Sequence, residues 1–373
     1  MALSGGRVTG SLYILKSGHP EALVGLFMAL FSVIPVMTAL GVGRWVDRAG
    51  AARVMRVGVL MVLVGAWLPV LYLSMTSLLL LSLTIGFGFN LLSMAAQHTV
   101  GHLDGSASPS QRLANFGWYA LGHSTSSVIG PFIAGLLIDT ASIRAAFGAM
   151  ALSSCFAVFL VLTRTQGLPR PVAIEQSRES GKKPAVFDLL ATPEMRRIYW
   201  VNSLTASAWD LFIVMLPVLG HRLGFSASVI GTVFSFFALG TFGARAAMPW
   251  LSRHASEWQI LRIALVVITL AYCALPWMVL APMLMFAGLI FGAAVGMSQP
   301  NMLSLLHSTA PPGRGGEAVG LRSVLSNGCS VLIPLAFGAA LATISISTIL
   351  LASAVLFGTG IYPTHQGVKA RKR

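Results

Sequence analysis

Asp210 stands in the apolar run "SAWDLFIV", near the middle of a stretch that is otherwise uncharged. A carboxyl at the centre of a membrane helix costs about 2.5 to 3.5 kcal/mol on insertion scales, so such a residue marks a functional site by default. Hydrocarbon disfavours the carboxylate and moves proton exchange towards neutral pH, which makes Asp210 the candidate carrier of a coupling proton. A fixed ion pair with an arginine is the competing reading, and it would keep the group charged. One proton crossing about 100 mV supplies roughly 2.3 kcal/mol, a gradient of about fiftyfold. Arg7, Arg245 and Arg322 are the other charges inside apolar runs. Three cations against one acid fit an anionic group on a substrate, whereas snorkelling towards the interface accounts equally well for Arg245 and Arg322. Further cavity candidates are Tyr119, His123, Trp209, Gln299 and Asn301. Gln299 and Asn301 flank Pro300 and set two amides beside a helix break; ordinary packing competes for the aromatic residues and the histidine.

A second group of charges lies in "GRWVDRAGAARVMR", residues 43–56, with Arg44, Asp47, Arg48, Arg53 and Arg56. Gly43 and Gly50 allow a tight turn and close helix approach. Asp47 can accept hydrogen bonds from neighbouring arginines or from the start of another helix. The plainer reading is that these arginines only anchor the topology.

Helices of the bilayer must position these groups. The chain has 373 residues, 55% hydrophobic and 10% charged, with a mean hydropathy of +0.79. That composition cannot cover a soluble domain of this size with polar surface. The apolar residues fall into runs of about 20, the length that crosses hydrocarbon as a helix. The predicted spans are 1–15, 22–42, 54–74, 78–100, 114–138, 143–163, 197–219, 227–251, 258–278, 282–306, 316–341 and 343–362. The runs are apolar on every side, without the dyad alternation of a membrane barrel. The expected fold is therefore an all-α integral membrane protein.

If residues 43–56 are cytoplasmic, alternation places nineteen Lys or Arg on that side and only Lys16, Arg144 and Arg222 on the other. This bias predicts cytoplasmic termini and accounts for the net charge of +14 through topology and anionic lipid. Nucleic acid is not needed as a partner. Cys155, Cys273 and Cys329 all fall within spans, so neither a disulfide framework nor a thiol metal site is expected. No metal or cofactor is expected.

The chain repeats itself. Leu68-Pro69 recurs at Leu275-Pro276, Trp45 and Arg48 at Trp250 and Arg253, and Gly117, Pro131 and Gly135 at Gly320, Pro334 and Gly338, always some 203 to 207 residues later. Two six-helix bundles, 1–163 and 197–362, are expected on either side of a polar cytoplasmic linker, 164–196, with a basic tail at 363–373. Tandem bundles with a site between them are a transporter plan. The repeat also predicts that the first helix is short by about ten residues relative to its counterpart, by the nearly constant offset.

Gly43, Asp47, Arg48, Gly50 and Arg53 together resemble the signature loop of the major facilitator superfamily. The resemblance covers the whole chain and implies twelve helices in two pseudo-twofold bundles that alternate access to a central cavity. It implies that Asp47 belongs to a latch closing the cytoplasmic side. In the second copy Ser252 stands where the acid would fall. On the fifth span, Gly117, Gly130, Pro131 and Gly135 are similar to the Gly-Pro motif of proton-coupled drug antiporters in that superfamily, with Ser126 and Ala134 where glycine is usual. The resemblance implies a kinked surface for rocking helices, and a simple packing face is the alternative.

No Gly-rich loop ending in Gly-Lys-Ser or Gly-Lys-Thr, no His-Glu-x-x-His and no Gly-x-Ser-x-Gly occurs, which argues against ATP drive and against those hydrolases. The leading expectation is a secondary transporter, not an enzyme: proton-coupled efflux of a small amphipathic molecule from a monomer in the plasma or inner membrane. The alternative is proton-coupled uptake of a small organic anion. A receptor or inactive remnant is the third reading, motivated by the short first helix.

Overall fold

A computed structural model describes residues 1–102, 109–165, 186–311 and 315–370, with positions 39–40, 43–44, 47, 101–102, 109–121, 186–187, 307, 315–317 and 370 described by backbone alone. Among these residues the regular structure is helical, without strands. In chain order the helices are α1 (Ala2–Lys16), α2 (Ala22–Ala49), α3 (Ala51–Leu71), α4 (Met75–His102), α5 (Pro109–Thr140), α6 (Ile143–Arg164), α7 (Pro193–Arg222), α8 (Ala227–His254), α9 (Glu257–Ala274), α10 (Ala281–Thr309), α11 (Gly315–Ala340), α12 (Ile346–Gly358) and α13 (Ile361–Ala370). Nine helices among the described residues are long and apolar enough to cross a bilayer. α1 has 15 residues and α7 has 30. At 1.5 Å per residue α1 reaches only about 22 Å.

The duplication is visible in the helix register. α2 and α8 each hold 28 residues and begin 205 residues apart. α4 and α10 begin 206 residues apart.

Helix ends follow their capping residues. Ser142 opens α6 by accepting from Ala145 N at 3.0 Å. Ser256 and Gln259 open α9 with a reciprocal capping box. Ser345 opens α12 by accepting from Thr348 N at 3.2 Å. Each satisfies amides that a helix start leaves without partners.

Three expectations need correction. Residues 43–49 are not loop: α2 runs through Arg44, Trp45 and Arg48 to Ala49, and Gly50 alone separates it from α3. Charges at the end of a helix leaving the bilayer do not break the helix. The final span does not end at 362, because α13 continues it after a bend at Thr359–Gly360. Tertiary packing holds α13 against α9, where Gly367 lies against the buried Trp258 ring. Residues 186–196 of the expected linker are ordered, as a short 3-10 turn at Val186–Leu190 and the start of α7. Leu189 and Met195 bury their side chains there. At its other end Arg164 and Thr165 close α6, and residues 166–185 lie outside the described residues.

The chain divides into two compact units, Met1–Glu179 with Ser226–Thr232, and Ser180–Phe225 with Val233–Arg373. In the first, α3 and α4 pack backbone to backbone. A Cβ on Gly58 would sit 2.8 Å from Gly88 O, and one on Gly88 2.6 Å from Gly58 O. Phe27 and Phe31 meet edge to face at 5.2 Å, and Phe147 is fully enclosed. In the second, Phe212 stacks on Phe237 at 5.0 Å and on Phe291 at 4.7 Å, while Tyr272 meets Phe357 at 4.9 Å. Each such pair contributes about 0.5 to 1.5 kcal/mol beyond burial. α8 and α10 touch closely enough that Thr241 Oγ1 donates to Gly292 O at 3.1 Å. Leu152, Phe156 and Phe159 on α6, Phe286 on α10 and Val355 on α12 point outward. Such side chains suit hydrocarbon and make a lipid-facing surface. The molecule is a multi-pass membrane protein.

Candidate functional site

The charged segment 43–56 is built around one backbone feature. Gly50 has φ 85° and serves as both the end of α2 and the start of α3. That conformation strains any residue with a Cβ, which explains the glycine. Arg48 and Arg53 are exposed on either side of the turn. Arg56 Nε donates to Thr165 Oγ1 at 3.3 Å, tying α3 to the end of α6. The side chain of Asp47 lies outside the described residues, and Gly43 is placed only as a helical residue of α2.

The Gly-Pro element on α5 is placed from His123 onward; Gly117 and Tyr119 fall where only the helical backbone is described. Gly130 packs on α1, where Ser4 Oγ donates to Ser126 O at 3.1 Å. Pro131 and Gly135 pack on the first turns of α8, which belong to the same unit. A Cβ on Gly135 would overlap the Ala227 carbonyl, and one on Gly231 would overlap the Pro131 carbonyl. Ser228 Oγ donates to Gly135 O at 3.3 Å.

Just beyond this contact lies a residue that sequence reasoning missed. Asp139 accepts from Ala227 N at 3.1 Å and from Ser228 N at 2.6 Å. A carboxylate there satisfies two open amides at the positive end of the helix dipole. Partial burial, the largest single influence, favours its neutral form, but hydrogen bonds from Ser228, Ala227 and Ser226 together outweigh it. They hold the Asp139 carboxyl below the ordinary carboxylate range. The signal available in the sequence was an acid at the end of one span and a serine at the start of another, with nothing to connect them.

Inside the first unit, the Arg7 guanidinium lies over the Phe31 ring, 5.0 Å from its centroid. This is a cation–π contact, worth about 2 kcal/mol or more when desolvated. Asn90 Nδ2 and Ser11 Oγ are buried and meet no hydrogen-bond partner among the described residues. His123 is exposed; its carbonyl accepts from Ser126 and Ser127, and its ring lies 5.9 Å from Phe89.

Inside the second unit, Asp210 is half-buried on α7 and accepts from Ser330 Oγ of α11 at 2.8 Å. Ser330 was not anticipated. Neither was Tyr272, whose hydroxyl reaches from α9 to donate to Ala208 O at 2.7 Å. Trp209 stands edge-on to Phe237 at 4.9 Å. Arg245 Nη2 donates to Gln299 Oε1 at 3.1 Å, which joins two of the candidates. Asn301 is buried and turns its amide to its own helix, donating to Met297 O at 2.7 Å. Arg322 buries its Nε without a hydrogen-bond partner among the described residues. Towards the end of α8, a cleft of about 560 Å³ is lined by Met248, Arg253, Glu257, Asn301 and Ser304. Glu257 accepts from Ser304 Oγ there at 2.9 Å. No group of three or more His, Cys, Asp or Glu side chains that could hold a metal occurs among the described residues.

Repeated membrane-spanning helices that carry buried ionisable groups follow a plan common among secondary transporters. The chain belongs to the Major Facilitator Superfamily, whose sequence profile matches residues 8–334. It is a transporter of small molecules, not an enzyme. It is 24% identical to "Tetracycline resistance protein, class B" of Escherichia coli over 323 residues, covering 84% of this chain and 77% of that protein. It is 23% identical to "Cyanate transport protein CynX" of the same organism over 289 residues, covering 76% of this chain and 72% of that protein. The fold matches that of the solved nucleoside transporter NupG with a TM-score of 0.77 at 14% identity, covering 98% of this chain and 96% of that one.

Proposed function

We propose that the protein exports a small amphipathic molecule in exchange for protons, by alternating access, as a monomer in the plasma or inner membrane with both termini cytoplasmic. The observation that carries this reading is the half-buried carboxylate of Asp210 against the Ser330 hydroxyl, 2.8 Å away, within a helical membrane unit. A membrane carboxyl with a hydroxyl partner can take up and release a proton without losing all its hydrogen bonding. The Gly-Pro surface of α5 and the likeness to a tetracycline resistance protein support export. Asp47, Arg48, Arg53, Gly43 and Gly50 are proposed as the cytoplasmic latch. Arg7, Tyr119, His123, Trp209, Arg245, Gln299, Asn301 and Arg322 are proposed to face the substrate.

A second reading, proton-coupled uptake of a small organic anion, draws on two arginines. Arg322 Nε is buried without a partner among the described residues, and Arg245 has the neutral Gln299 as its partner. The likeness to a cyanate transport protein supports a small anion as the substrate.

Purified protein in acid-loaded vesicles separates the two. External tetracycline is expected to make the lumen more alkaline as protons leave in exchange. Tetracycline entry with unchanged lumenal pH overturns proton exchange, and further acidification on adding cyanate establishes the second reading. Asp210→Asn is expected to abolish uphill transport and spare downhill exchange; full uphill transport in that variant refutes the proton role.

A further inference from the structure

The hydroxyl of Ser330 has two acceptors and one proton. Its Oγ lies 2.8 Å from Asp210 Oδ2 and 3.3 Å from Ser326 O, one turn earlier on α11. A serine hydroxyl donates once and accepts through its lone pairs, so it serves one of these oxygens at a time. When Asp210 is charged, the hydroxyl donates to the carboxylate. When Asp210 carries a proton, the acid can donate to Ser330 Oγ while the hydroxyl hydrogen turns to the Ser326 carbonyl. Both states leave Asp210 and Ser330 hydrogen-bonded, with the incoming proton as the only atom gained.

The surroundings favour this assignment over other donors. Among the described residues, Tyr272 of α9 and Cys329 of α11 are two titratable groups within electrostatic reach of Asp210. The Tyr272 hydroxyl is committed to Ala208 O at 2.7 Å, and Cys329 Sγ is directed to Ser203 O at 3.7 Å. Ser326 is itself held in place, because its Oγ accepts from Asn202 Nδ2 at 3.0 Å. Asn202 with Ser326 and Asp210 with Ser330 are thus among the polar rungs that join α7 to α11, beside Tyr199 Oη on Ala318 O at 3.1 Å. An unsatisfied buried partner would penalise one protonation state, and the turning hydroxyl removes that penalty.

We propose that Ser330 is the positioning residue of the proton site, a two-position hydroxyl that supports Asp210 in both its charged and neutral forms. This rests on the proposal that Asp210 carries the proton. Infrared difference spectra of the reconstituted protein, titrated from acid to alkaline pH without any substrate, test both separately. The C=O stretch of a protonated carboxyl is expected in wild type and absent in Asp210→Asn. In Ser330→Ala the band is expected at higher frequency, with its pH midpoint raised by about one unit or less, because the bond lost by the carboxylate is stronger than the one lost by the neutral acid. Ser330→Thr restores band and midpoint, and Ser326→Ala, which keeps the backbone carbonyl, leaves both in place. A wild-type spectrum unchanged by Asp210→Asn overturns the proton-carrier reading itself. A band lost in Asp210→Asn but identical in Ser330→Ala overturns the role of Ser330 alone.

Discussion

Asp139 at the end of α5 closes the first turn of α8 by accepting from the backbone of Ser228, at 2.6 Å. With Ala227 N also bound, one carboxylate answers two amides of a helix that begins 88 residues further along the chain.

Asp139→Ala is expected to loosen this turn, raising the hydrogen-exchange rate of the Ala227 and Ser228 amides about tenfold or less. Asp139 is exposed, so solvent screening keeps its effect on global stability within about 1 kcal/mol. Its folded-state carboxyl is held below the ordinary range, so the clasp contributes fully above the unfolded value and is lost as pH falls through the folded one. The protection of these amides, relative to their intrinsic exchange at each pH, should therefore fall on acidification in wild type and stay flat in Asp139→Ala. Equal pH dependence in both proteins would count against the clasp.

Gly135→Ala is expected to cost about 1 to 3 kcal/mol, because the new methyl meets the rigid Ala227 backbone. Gly148→Ala on α6 is the matched control. Nothing lies within 4 Å of its new methyl, and alanine gains up to about 1 kcal/mol over glycine in a helix. Thermal unfolding followed by tryptophan fluorescence should move in opposite directions for the two variants.

Gly50→Ala places a Cβ on a residue with φ 85°, at a cost of about 1 to 2 kcal/mol. A lower unfolding temperature, with Ala51→Gly largely neutral beside it, is the expected result. Equal melting of Gly50→Ala and wild type would show that the turn is not held in this conformation.

Phe291→Ala is expected to lose about 3 to 5 kcal/mol, since its enclosed ring stacks on Phe212 and Phe237. Tyr272→Phe keeps the ring and loses only the bond to Ala208 O, about 1 kcal/mol. Denaturation of the purified protein in detergent should rank them in that order.

Most of the helices were legible in the sequence because hydropathy is written locally, within about 20 residues. The boundaries that failed have tertiary causes. Arg44 and Arg48 suggested a loop, yet a helix tolerates charge wherever it emerges from lipid. The basic run Lys369 to Arg373 suggested a tail from 363 onward, and the Trp258 ring against Gly367 shows why the helix goes on. Asp210 stood out as a lone acid in an apolar run. Its partner Ser330 did not, because serines are common in such helices and this one lies 120 residues away. Asp139 escaped notice for the same reason: its role is defined by two amides, and amides carry no mark in a sequence.

The junction at Gly50 has a mechanical consequence. With a single residue between them, α2 and α3 have no slack at the joint, so tilt or twist of one is handed directly to its neighbour. The pair acts as a crank whose only bearing is a residue without a side chain, and lengthening that joint by even a few residues would let the two arms turn independently.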